Sequence, residues 1–144
     1  MPNPTRPRHR GLYLVWIALV IAAGLASRSP WLGLPWFWAK YSGDALWALL
    51  VFFAFACLWP AVRTASIAIL AFSFSCAVEF SQLYHAPWLD AIRQTWFGRL
   101  ALGDTFAWAD MLAYLAGIAC GAGLELFVRW LAGMGCGQAV GEKT

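Results

Sequence analysis

Four stretches of the 144-residue chain run for close to a membrane's width with few polar side chains: 11–26, 44–59, 65–84 and 110–131. A bilayer core takes about 20 apolar helical residues to cross, and each stretch meets or approaches that length. The connections at 27–43 and 60–64 carry Pro, Gly or charge, as turns do. The stretch 85–109 is longer and mixed. Within it Pro87 begins a short helical pattern that sets Leu89, Ile92 and Trp96 toward a membrane and Asp90 and Arg93 elsewhere. The pattern predicts an all-α fold: a polytopic membrane four-helix bundle with a short interfacial helix in its outer loop. Residues 1–10 read as a basic cytoplasmic tail, 11–131 as the transmembrane domain, and 132–144 as a flexible cytoplasmic tail.

Composition agrees. The chain is 62% hydrophobic and 12% charged, against about 45–50% and 25% in soluble domains. Disorder is excluded, because low hydrophobicity is what keeps chains unfolded. A net charge of +3 from scattered bases gives no nucleic-acid surface. The basic start, an apolar run and the small residues 22–26 also fit a signal peptide. A retained first helix is the preferred reading, and the other spans keep their direction either way. With a cytoplasmic N-terminus, Arg6, Arg8, Arg10, Arg63, Arg129 and Lys143 lie inside, and Arg28, Lys40, Arg93 and Arg99 outside. This six-to-four bias puts both termini in the cytoplasm. Of ten Trp, Trp31, Trp36, Trp38, Trp88, Trp96 and Trp108 fall outside and Trp59 and Trp130 near the inner boundary. They read either as an aromatic belt or as a partly embedded lid over a lipid or lipid-linked ligand. Cys57, Cys76, Cys120 and Cys136 form no C-x-x-C pair and read as packing residues.

Ionisable groups in spans are costly and mark function or buried pairs. Asp44, at the start of the second span, is either a helix cap or a functional carboxylate. Asp110 lies about one and a half turns inside a fourth helix capped by Asp104 or Thr105, so capping does not account for it. Glu79, near the end of the third span, opposes the helix dipole. It shares a face with Gln82 and Ser75, which should turn into the bundle. Arg28 and Arg93 are its candidate partners, and Arg93 is expected to fold back onto Glu79 or Asp110 and hold 85–109 as a lid. Glu125 and Arg129 read as a snorkelling surface pair without function. Gly117 and Gly121, with Ala113, allow close helix approach within the bundle or in a homo-oligomer. No metal cluster, cofactor motif, G-x-S-x-G, H-E-x-x-H or P-loop is present in the sequence. His85 has no second His near it.

Taken together, Tyr41 to Trp47, Val78 to Leu83, Trp88 to Arg93, Leu102-Gly103 and Phe106 to Asp110 resemble a small bacterial membrane-protein family known as domain of unknown function 2809. The resemblance covers residues 11–125. More loosely, Glu79-x-x-Gln82, Arg93 and Asp110-x-x-x-Tyr114-x-x-Gly117-x-x-x-Gly121 resemble the VanZ-like proteins, whose namesake is associated with teicoplanin resistance. The wider pattern has Asn where this chain has Tyr114. The resemblance implies a multi-pass protein of the bacterial inner membrane and supplies no reaction.

Three functions stay open. Asp44, Glu79, Gln82, Arg93 and Asp110, with Arg28, Asp90 and Tyr114 around them, would bind a cationic or amide-bearing head group of an envelope or lipid-linked component. Alternatively Glu79 or Asp110 serves as general base of an enzyme acting on a lipid-linked precursor. In the third, the cluster is a purely structural network. Binding or structure ranks above catalysis, because no nucleophile-base pair is visible. Membrane lipids are the expected partners, and no cofactor is expected.

Overall fold

The computed structural model describes residues 8–27, 29, 33, 35–102 and 107–141. Among them are six helices and no strand: α1 (Arg10–Ser27), α2 (Trp36–Leu58), α3 (Thr64–Ser81), α4 (Pro87–Gln94), α5 (Trp96–Leu102) and α6 (Trp108–Gly141). The fold is all-α, as the hydropathy pattern implies. Four helices are long and apolar enough to cross a membrane: Arg10–Ser27, Phe37–Leu58, Thr64–Ser81 and Trp108–Ala132. Arg28, Asp104 and Thr105 lie outside the described residues.

The helix limits follow local chemistry. Pro35 stands just before α2, where its missing N–H costs nothing. α2 therefore starts eight residues before Asp44, and Asp44 is not its cap. Pro60 ends α2, because the residue before a proline is pushed toward extended backbone, and Trp59 sits at φ −116°, ψ 72°. Pro87 opens α4 at its first turn, as expected. α6 begins later than expected, so Asp110 falls in its first turn and not deep inside the helix. At its other end α6 is helical to Gly141, through most of the segment expected to be a flexible tail.

α2 is the central helix, packed against α6, α1 and α3. Ala48, Phe52, Phe53 and Ala56 of α2 form the core with Ile67 and Ala71 of α3 and Tyr114 and Ile118 of α6. The small residues of α6 set the distance. A Cβ on Gly117 would lie 2.0 Å from the Ala45 carbonyl oxygen, and one on Gly121 would lie 2.7 Å from Leu49 Cδ1. The close approach read from these glycines is thus taken up inside the chain, against α2. Gly98 has the same role between the short helices, where its Cβ would meet the Ile92 carbonyl at 1.8 Å.

The bundle has two polar ends. At one, α3 ends and α2 and α6 begin, with α4 and α5 alongside; this is the Glu79 end. At the other, α1 and α3 begin and α2 ends; this is the Glu125 end. Trp38, Trp88, Trp96 and Trp108 are exposed at the first and Trp59 and Trp130 at the second, the distribution expected of aromatic belts.

Candidate functional site

Glu79 is 0% exposed. Its carboxylate accepts hydrogen bonds from the Tyr114 hydroxyl at 2.7 Å, the Gln82 Nε2 at 3.1 Å and the Ala107 backbone N–H at 2.9 Å. Among the described residues no cationic side chain touches it. Ala107 immediately precedes α6, so Glu79 takes one of the N–H groups that a helix start leaves open. The positive end of the α6 dipole stands where a counter-ion was expected. Gln82 is 6% exposed. Its Nε2 also donates to the Leu102 carbonyl at 2.7 Å, which ties α5 to the cluster. Its Oε1 is buried without a hydrogen-bond donor among the described residues. Ser75 lies on the same buried face but turns its hydroxyl to the Ala71 carbonyl.

Asp110 is held by Lys40, whose Nζ lies 2.6 and 2.8 Å from its two carboxylate oxygens. Lys40 also feels the charge of Asp44, one turn along α2. Asp44, Asp110 and Glu79 all act electrostatically on Tyr114, and Glu79 accepts its hydroxyl. The sequence reading missed Lys40 because it assigned 27–43 to a loop. With α2 begun at Trp36, the i, i+4 spacing of Lys40 and Asp44 would have shown it.

Arg93 corrects an expectation. It contacts neither Glu79 nor Asp110. Its guanidinium donates to the Tyr84 carbonyl at 3.0 Å, to the Ser81 carbonyl and to Asp90 at 3.0 Å. It thus satisfies backbone carbonyls left open where α3 ends, and it pins α4 there. Asp90 also lies 3.6 Å from His85 Nδ1. The reason for the error is geometric. Arg93 is in the last turn of α4, where the acceptors it meets are the carbonyls at the α3 terminus and its own i−3 carboxylate.

Glu125 is a second correction. It is 1% exposed and is no surface pair. Its Oε1 accepts from Arg8 Nε at 2.9 Å, Thr64 Oγ1 at 2.8 Å and Arg129 at 3.0 Å. Arg8, read as part of a basic tail, is 7% exposed. It also donates to the carbonyls of Trp59 at 3.3 Å, Pro60 at 3.4 Å and Val62. The i, i+4 spacing of Glu125 and Arg129 was visible in the sequence. The distant Arg8 and Thr64, which bury the pair, were not.

The family described as "Protein of unknown function (DUF2809)" matches residues 33–118. The chain belongs to this family. The matched segment contains Lys40, Asp44, Glu79, Gln82, Arg93, Asp110 and Tyr114, which is the whole Glu79 end as described. It leaves out Arg8, Gly121, Glu125 and Arg129. No solved structure matches the chain. No group of three or more His, Cys, Asp or Glu with metal-binding geometry occurs among the described residues.

Proposed function

We propose that this family member is a multi-pass protein of the bacterial inner membrane, VanZ-like, with both termini cytoplasmic, and that its Glu79 end faces outward and binds an envelope or lipid-linked ligand. The observation that carries this reading is Gln82. Among the described residues its amide oxygen is buried without a donor, beside a carboxylate that takes neutral donors. A buried acceptor left open costs about 1–3 kcal/mol, and a ligand N–H would remove that cost. This favours a cationic or amide-bearing head group. The cover over the site is light: α4 and α5 are held by Arg93 to the α3 carbonyls and by Gln82 to the Leu102 carbonyl. Releasing the second of these contacts leaves the Gln82 amide bonded to Glu79 and frees one of its N–H groups.

Mass spectrometry of lipid-linked material retained by the purified chain tests this. Wild type should retain it, and Gln82→Leu should lose it about tenfold, equivalent to about 1.4 kcal/mol, beside the melting loss that removing its bonds to Glu79 and Leu102 brings by itself. Equal retention would remove the site. Reporter fusions at residue 144 and near residue 100 test the orientation, and a cytoplasmic signal near residue 100 would reverse it.

A purely structural role is the second reading. The complete burial of Glu79 favours it, and it predicts that Gln82→Leu changes melting and leaves retention untouched.

A further inference from the structure

The Glu125 end gathers basic residues that are scattered in the sequence. Arg10 opens α1, and Arg63 stands directly before α3. Both are exposed. The Arg8 N–H donates to the Pro60 carbonyl at 3.2 Å, and its guanidinium takes the carbonyls of Trp59, Pro60 and Val62. Cys57 Sγ lies 4.0 Å from the Arg10 carbonyl oxygen. Residues 8–10 thus lie along the turn that ends at Arg63. Among the described residues no carboxylate pairs with Arg10 or Arg63. Glu125, the carboxylate described at this end, is buried and taken by Arg8, Thr64 and Arg129. Residues 1–7 contain no Asp or Glu. Glu142 follows the end of α6, about 24 Å of helix beyond Glu125.

Two helix starts add to this charge. α1 and α3 both begin here, and neither has an acidic residue in its first turn, so neither compensates the positive end of its own dipole. Depth fixes what the surface meets. Both arginines stand at the ends of helices long and apolar enough to cross a membrane. Trp59 and Trp130 are exposed at the same end, as at a membrane–water interface. Hydrocarbon gives way there to phospholipid head groups. A guanidinium at that level pairs well with phosphate oxygens, and a zwitterionic head group offsets part of that attraction with its own amine. We infer that the Glu125 end binds an anionic phospholipid at Arg10 and Arg63, with the phosphate against the turn between α2 and α3. This stands apart from the reading of the Glu79 end and holds for either orientation of the chain.

The test uses the full chain in phosphatidylcholine vesicles that contain a trace of phosphatidylglycerol with a diazirine on its head group. After irradiation, label should concentrate on peptides covering 8–13 and 57–66. Each arginine near an anionic lipid contributes about a fivefold preference, equivalent to about 1 kcal/mol. Unlabelled phosphatidylglycerol should therefore displace the label at least about fivefold more effectively than added phosphatidylcholine. Arg10→Gln and Arg63→Gln should each lower the label about fivefold, and Arg10→Lys and Arg63→Lys, which keep the charge, should retain most of it. Inorganic phosphate should not displace it. Equal label on a peptide covering 84–97, equal competition by the two lipids, or label unaltered when both arginines are replaced by Gln overturns the site. Displacement by inorganic phosphate overturns the lipid as its occupant. The competition in the wild-type chain decides even if the double variant does not fold.

Discussion

The two ends of the bundle each bury a glutamate and each use an arginine to hold the carbonyls where a helix stops, but they join these parts differently. At the Glu125 end the arginine does both jobs: Arg8 binds the carbonyls after α2 and also Glu125. With Arg129 and Thr64 it surrounds one carboxylate oxygen. At the Glu79 end the jobs are split. Arg93 holds the α3 terminus, and among the described residues Glu79 accepts from a phenol, an amide and a backbone N–H. A buried carboxylate locked to guanidinium is costly to disturb from either side. One held by neutral donors and a helix start can exchange a donor for a ligand's at small net cost. Among the described residues the carboxylate of Glu125 thus meets two guanidinium groups and that of Glu79 neutral donors.

The largest effect should come from Glu125→Ala. It strands Arg8 in a buried site, and detergent melting should show a loss of about 3–5 kcal/mol, the range for breaking a buried pair. Replacing Arg8 and Glu125 together by Met and Leu should recover much of that loss. If Glu125→Ala costs no more than a surface substitution, the two ends are not different in kind.

Gly117→Ala probes the frame between the ends. Its new methyl would meet the Ala45 carbonyl, and overpacking of this sort costs about 1–3 kcal/mol. Unchanged melting would mean that α6 approaches α2 less closely than described.

Tyr114→Phe removes a neutral donor from Glu79 and should cost about 1 kcal/mol. Glu79→Gln should be of similar size and clearly milder than Glu125→Gln, because no cation is left behind among the described residues. A loss for Glu79→Gln that equals the loss for Glu125→Gln would reveal a cation at Glu79; adding Arg28→Ala or Arg99→Ala would then identify it.

The smallest effect is a near-absence of coupling. Arg93→Ala combined with Glu79→Gln should be additive within about 0.5 kcal/mol, as for sites without shared partners. Arg8→Ala combined with Glu125→Gln should deviate by more, in the range of about 0.5–3 kcal/mol seen for residues in contact. Clear coupling between Arg93 and Glu79 would restore the lid contact that the structure does not contain.

Much of this was legible from residue order. The four spans follow from hydropathy, because burial in hydrocarbon needs a continuous apolar run and little else. The α4 start follows from Pro87, and the α2 end from Pro60, because proline restricts backbone locally. Glu79 and Gln82 were legible as a buried pair, since i, i+3 spacing puts them on one face of a helix. The start of α2 was not legible. Ser42-Gly43 has the composition of a turn, but Gly43 is buried within α2, and tertiary packing overrides that local preference.

What the sequence determined by itself was local: which apolar segments are helical and suit a membrane, and that Glu79 and Gln82 share one face of a helix. Partner choice was decided by the tertiary structure alone. Arg8 meets Glu125 across 117 positions and Lys40 meets Asp110 across 70. Arg93 finds the α3 carbonyls while the α6 start takes Glu79. An arginine and a carboxylate attract in any order along the chain. Which pair forms depends on where the helix ends come to lie, and that is set by Gly117 and Gly121 against α2, not by the charges.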